Sequence, residues 1–119
     1  MTWLRVALIV WGVVNEVDGT IAALAEPVRR RVVELLGVGP RRAGELAAAV
    51  GMSGPALSRH LRVLRVSGVV EATVEEGDAR VRMYRLRAEA FVGLRAWLDQ
   101  VEAYWGEQLG AFKRHVEGR

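Results

Sequence analysis

Few side chains in this 119-residue chain could do covalent or acid–base chemistry. Its two histidines, His60 and His115, stand fifty-five positions apart, and its three aspartates, Asp18, Asp78 and Asp99, form no obvious acid–base pair with them. The absence of cysteine removes disulfides, thiolate metal sites and a cysteine nucleophile together. Gly37-Val38-Gly39-Pro40 lacks the Lys-Ser/Thr that completes a phosphate-holding P-loop. An enzyme is therefore not expected. What the chain has in quantity is arginine, sixteen against a single lysine. From Pro27 to Arg87 there are twelve arginines and six acids, a net of +6. The flanks hold five bases and eight acids, a net of −3. A basic middle between acidic ends fits a polyanion-binding surface, the alternative being an ordinary solvated charged face.

The elements that would carry these arginines are set by apolar periodicity and by Gly and Pro. With 51% apolar and 26% charged residues the chain reads as one globular domain with a real core. "GTIAALAEPVRRRVVELLGVGP" reads as a short helix, a break at Pro27 and a second helix ending at Gly37. Val28, Val32, Leu35 and Leu36 fall on one side of that second helix, with Arg29, Arg30 and Arg31 spread around the other. "RRAGELAAAVG" is a third, short helix with Leu46 and Val50 on one face, closed by Gly51. In "MSGPALSRHLRVLRVSG", Ser53 is an N-cap, Pro55 sits in the first turn and Gly68 stops the helix. Leu57, Leu61 and Leu64 make its buried stripe; Pro55, Arg59 and Arg62 lie opposite, with Ser58 and Arg65 beside them and His60 near the stripe's edge. The period then falls to two: "VVEATVEEGDARVRMYRL" reads as two strands around Glu76-Gly77-Asp78, with Tyr84 and Leu86 on one side and Arg80 and Arg82 near the tip.

From Ala88 to about Glu117 a long helix is expected. Phe91, Leu94, Leu98, Val101, Trp105 and Phe112 follow a 3-4 spacing, widened by Trp97, Tyr104 and Leu109. Thirty helical residues span about 45 Å, more than the domain needs for itself, so part of this face should bury against a second copy. The alternative is a helix lying across its own domain.

Helix, helix, short helix, tight turn at Gly51-Met52-Ser53, helix, then a basic hairpin is the order of a winged helix-turn-helix. The fold class is mostly α with a small β-hairpin wing. It divides into an apolar N-terminal extension (1–17), a winged helix-turn-helix (18–86) and a C-terminal dimerisation helix (87–119). A major groove about 12 Å wide admits one helix, whose Ser, Arg and His side chains reach base edges and phosphates. Ser58, Arg59 and Arg62 are the candidate reading face. Gly54 keeps the helix N-terminus uncrowded for a phosphate. Arg80 and Arg82 would lie along the backbone or in the minor groove.

Three segments, "EPVRRRVVELL", "GELAAAVGMS" and "PALSRHLRVLRVSGVV", in this order and spacing resemble the ArsR family of small dimeric bacterial transcription regulators. The likeness spans roughly Gly19 to Leu86. It implies a homodimer on an inverted-repeat operator in double-stranded DNA, more often a repressor than an activator, released by a signal. It carries DNA contacts onto Ser53, Pro55, Ser58, Arg59 and His60; for His60, packing against the wing is the competing reading. Arg42 stands where the family often has a capping Thr or Ser, and Gly54 where it often has Arg or Gln. Metal-sensing members resemble "ELCVC" before the turn, where this chain reads Glu45-Leu46-Ala47-Ala48-Ala49. A second family metal site lies on the final helix across the dimer. Asp99, Glu102, His115 and Glu117 are the weak candidates there, and Tyr104 replaces an expected ligand histidine. The metal-responsive alternative is thus a Ni or Zn site without cysteine; the expected state is no metal and an inducer left open. Outside regulation, the alternative is a winged-helix protein-interaction module.

The opening "WLRVALIVWGVV" resembles a membrane address. Twelve helical residues span about 18 Å, short of the roughly 30 Å hydrocarbon core. A signal peptide cut after Ala23-Leu24-Ala25 would delete the first helix of the domain. A cytoplasmic protein without a membrane partner is expected. Trp3, Val6, Val10, Val13 and Val14 would then form an N-terminal helix in the dimer interface; the other reading is upstream sequence from an early start codon.

Overall fold

The computed structural model of the protein describes residues 16–74, 77 and 82–118. Of the expected N-terminal helix from Trp3 to Val17, all but Glu16 and Val17 lie outside the described residues, as do the hairpin residues Glu76 and Asp78, and Arg80. The described chain holds helical residues 16–24 (α1), α2 (Pro27–Val38), β1 (Arg41–Arg42), α3 (Ala43–Val50), α4 (Gly54–Val66), β2 (Val70–Val74), β3 (Arg82–Leu86) and α5 (Ala88–Glu117).

Each boundary has a local cause. Pro27 opens α2, and the Glu26 carboxylate accepts from the backbone N–H groups of Val28 (3.0 Å) and Arg29 (3.4 Å). The helix runs one residue past Gly37, to Val38. α3 starts just after Arg42, whose side chain makes no cap hydrogen bond. It ends at Gly51, whose φ of +70° lies in the left-handed region. The N–H of Met52 there returns to the Ala47 carbonyl at 3.0 Å. Ser53 caps α4 by accepting from the Ala56 N–H at 3.3 Å. Gly68 (φ +76°) closes the far end, where the Val69 N–H bonds the Leu64 carbonyl at 2.9 Å.

The core is the apolar stripe of each helix brought to one centre. Val32, Leu46, Leu57, Leu61, Leu64, Val69 and Val70 are all at most 2% exposed, with Leu36, Ala47 and Tyr84 beside them. At roughly 1.5–3 kcal/mol for each large buried side chain, this cluster is what holds α2, α3 and α4 at fixed angles. The sheet is antiparallel in the order β1-β3-β2. Val70 pairs with Leu86 and Val74 with Arg82; Arg41 pairs with Tyr84 on the other side. The expected hairpin is therefore one part of a three-stranded sheet, because the two residues before α3 add an edge strand. Tyr84 is buried and Leu86 packs on the core, so they share a face as their parity requires.

α5 differs from the other helices: none of its thirty residues is buried. Its first turns touch the domain. Phe91 packs on the core, and a Cβ at Gly93 would meet Val17 of α1 at 3.7 Å, an ordinary contact. From Leu98 onward most of its apolar side chains are exposed, and no helix among the described residues is long and apolar enough to cross a membrane.

Candidate nucleic-acid interface

The site is built on α4. Burying Leu57, Leu61 and Leu64 forces Ser58, Arg59, Arg62 and Arg65 to solvent along about two turns. Ser53, Gly54 and Pro55 form the exposed N-terminal end of the same face. β3 brings Arg82 alongside. Ser58, Arg59, Arg62, Arg65, Arg82 and Tyr84 line one open cleft of about 220 Å³ between helix and sheet. Arg65 and Tyr84 join the expected residues here; the position of Arg65 beside the exposed face is visible in the sequence, whereas that of Tyr84 requires the sheet.

His60 lies on the other flank of α4. Its ring meets α2: Nδ1 is 3.3 Å from an Arg29 guanidinium nitrogen and 3.7 Å from a Glu26 carboxylate oxygen, with the side chain 22% exposed. The packing partner of His60 is thus the start of α2 and not the wing, which is the packing alternative to a base contact that the sequence offers. Nδ1 can accept from Arg29 when the ring proton sits on Nε2. Arg29 also donates through Nε to the Ala23 carbonyl at 2.6 Å, and Arg30 donates to the carbonyls of Leu24 (2.8 Å) and Ala25 (3.1 Å). The sequence reading spreads these arginines over a solvent face. In the structure two of the three close the carbonyl end of α1.

The remaining basic residues divide in the same way. Arg31 pairs with Glu34 at 3.5 Å and Arg85 with Glu71 at 3.9 Å. Arg59, Arg62, Arg65 and Arg82 make no hydrogen bond or ion pair with any described residue. Four guanidinium groups without a described carboxylate partner therefore lie together on the outer face of α4 and the adjoining strand, where planar guanidinium groups can take phosphate oxygens two at a time.

On α5, Leu98 is 50%, Trp105 58% and Phe112 66% exposed, while Phe91, Leu94 and Val101 are half-buried. Trp97, Tyr104 and Leu109 are exposed beside them. Asp99, Glu102, His115 and Glu117 lie on this helix too, and Glu117 approaches Lys113 at 3.9 Å. Asp99 and His115 are about 24 Å apart along the axis. No group of three His, Asp or Glu that could hold a metal occurs among the described residues.

A basic helix-turn-helix face flanked by a small antiparallel sheet defines the class as a winged helix-turn-helix DNA-binding protein. Comparison with known proteins makes this specific. The sequence model of the family described as bacterial regulatory protein, arsR family, matches residues 26–72. The HTH-type transcriptional regulator Rv2034 of Mycobacterium tuberculosis is 34% identical over 100 residues, covering 84% of this chain and 88% of its own. The biofilm growth-associated repressor of Xylella fastidiosa is 44% identical over 57 residues, 48% of this chain and half of its own. A solved ArsR family transcriptional regulator, RHA00566, superposes with a TM-score of 0.68 at 33% identity, over 76% of this chain and 91% of that one. The chain belongs to the ArsR family of transcriptional regulators.

Proposed function

We propose that the protein is a homodimeric repressor that occupies an inverted-repeat operator, with α4 of each protomer in the major groove. The observation that carries this reading is the unpaired arginine face of α4, which no described carboxylate neutralises. Ser58 and Arg59 face the base edges, with Arg62 toward the backbone. Ser53, Gly54 and Pro55 bring the helix N-terminus to a phosphate. Arg82 lies along the backbone. His60 acts from behind, fixing α4 on α2 through Arg29 and Glu26. The repressor name of the relative from Xylella fastidiosa supports repression over activation.

Phe91, Leu94, Leu98, Val101, Trp105 and Phe112 supply the dimer contact. Exposed apolar surface on this scale is uncommon on a monomer, and a C2 pair brings two recognition helices to successive major grooves.

The test is binding to the promoter region of the protein's own gene, followed by fluorescence anisotropy against salt. Specific binding should weaken steeply as salt rises. Arg59→Ala should lower specific affinity about 10- to 100-fold with little change on random DNA. Equal loss on both would remove Arg59 from the base-reading role. No DNA affinity even at low salt would favour a protein-interaction module.

A further inference from the structure

The cleft between α4 and β3 is more than a basic patch. Three of its guanidinium groups, Arg59, Arg62 and Arg65, come from successive turns of one helix, and the fourth, Arg82, comes from the strand opposite. Among the described residues no carboxylate lines it. Its lining includes Tyr84, which is only 7% exposed and belongs to the core cluster. The Tyr84 hydroxyl has no hydrogen-bond partner among the described residues. No buried side-chain oxygen or nitrogen among those residues is left unsatisfied, so this hydroxyl is not sealed in. Tyr84 is one of the residues that line the cleft. A core tyrosine with an unpaired hydroxyl thus lines the same cleft as four arginines that make no ion pair with any described residue.

That donor set has a chemical complement. Guanidinium forks and a hydroxyl all donate, and a tetrahedral oxyanion accepts from several directions at once. The opening of about 220 Å³ is several times the ~30 Å³ share of one water. We propose that this cleft is a discrete site for one phosphate-type oxyanion, held by the guanidinium groups of Arg62, Arg65 and Arg82 with the Tyr84 hydroxyl donating from below. The phosphate can arrive as a backbone phosphodiester of DNA or as a free ion such as pyrophosphate. Only the first source rests on the DNA-binding reading. In that case Arg62 and Arg65 serve the backbone, and base reading is left to Ser58 and Arg59 near the start of α4.

Two titrations test this on the full chain. In the first, inorganic pyrophosphate is titrated calorimetrically into DNA-free protein, with sodium chloride holding ionic strength constant. In the second, a random-sequence duplex is bound over a range of salt concentrations. The decisive variant is Tyr84→Phe, which keeps the buried ring and removes one oxygen; thermal melting checks that the fold is unchanged. One site per chain is expected, weakened about tenfold by Arg65→Ala or Arg82→Ala and about three- to tenfold by Tyr84→Phe. On the duplex, Arg65→Ala should lower the salt slope by about one. If pyrophosphate binds with this dependence and displaces the duplex better than chloride does, both sources share the site. If pyrophosphate binds so but the duplex does not bind at all, the oxyanion site stands and the DNA reading falls. If only the duplex responds to Arg65→Ala and Tyr84→Phe, the phosphodiester is the ligand. Indifference of both titrations to Tyr84→Phe overturns the site and leaves an unstructured basic surface. If Arg59→Ala then still abolishes sequence preference, the DNA reading survives that failure.

Discussion

At the scale of residues, the twelve arginines of the basic segment have different tasks. Arg29 joins three helices, donating to the last turn of α1 and to His60 on α4 from its own place in α2. Glu26 caps α2 and stands near the same imidazole. Glu26→Ala removes the acceptor of two helix N–H groups and should cost about 1 kcal/mol of stability, measured as a lower urea midpoint with an unchanged slope. Arg31→Ala breaks an exposed pair with Glu34 and should stay within roughly 0.5 kcal/mol of wild type in the same titration. The comparison separates arginine as a structural tie from arginine as surface charge. A sequence shows the number of cations but not their partners. The cleft residues therefore appear in it only as part of a net charge, although the order of Ser58, Arg59, Arg62 and Arg65 against the leucine stripe already marks the exposed face.

At the scale of elements, legibility followed the strength of the local signal. Ser53 and Gly68 bracket α4 because a cap and a left-handed glycine act within a few residues. The alternation ending in Tyr84 and Leu86 is long enough to show which face is inward. β1 has only Arg41 and Arg42, so it has no period to read, and only its pairing with Met83 and Tyr84 makes it a strand. Tyr84 as part of the lining of a cleft was hidden for the same reason: it depends on where β3 lies beside α4. The turn between α3 and α4 offers a clean test. Gly51 has φ +70°, and a Cβ there would meet nothing within 4 Å, so Gly51→Ala carries a backbone cost without a steric one. A loss of about 1–2 kcal/mol is expected by thermal or chemical denaturation. If stability is unchanged, the turn relaxes into another conformation, and weaker DNA binding would then reveal a changed angle between the two helices.

At the scale of the whole molecule, the two candidate surfaces require each other. One α4 buries little on DNA and contacts few phosphates, so one domain alone supports modest affinity. Two domains held at a fixed distance make the second contact nearly intramolecular, which multiplies affinity without any new contact. The helix that would set this distance is α5, with Leu98, Trp105 and Phe112 at least half exposed and Val116 exposed beyond them. The proposed pairing places these side chains against their counterparts on the partner, where two carboxylates would be desolvated together. Trp105→Glu should therefore give a monomer in sedimentation equilibrium at concentrations where wild type is dimeric. Its far-UV spectrum should keep the signal of the helix-turn-helix, because Trp105 touches no part of the buried core. Operator affinity should fall at least 100-fold, while affinity for a single half-site stays within a few-fold of wild type. The wild-type melting temperature should rise with protein concentration, and that of Trp105→Glu should not. A Trp105→Glu chain that remains dimeric would place the contact between protomers elsewhere, and α5 would then be free for a different partner.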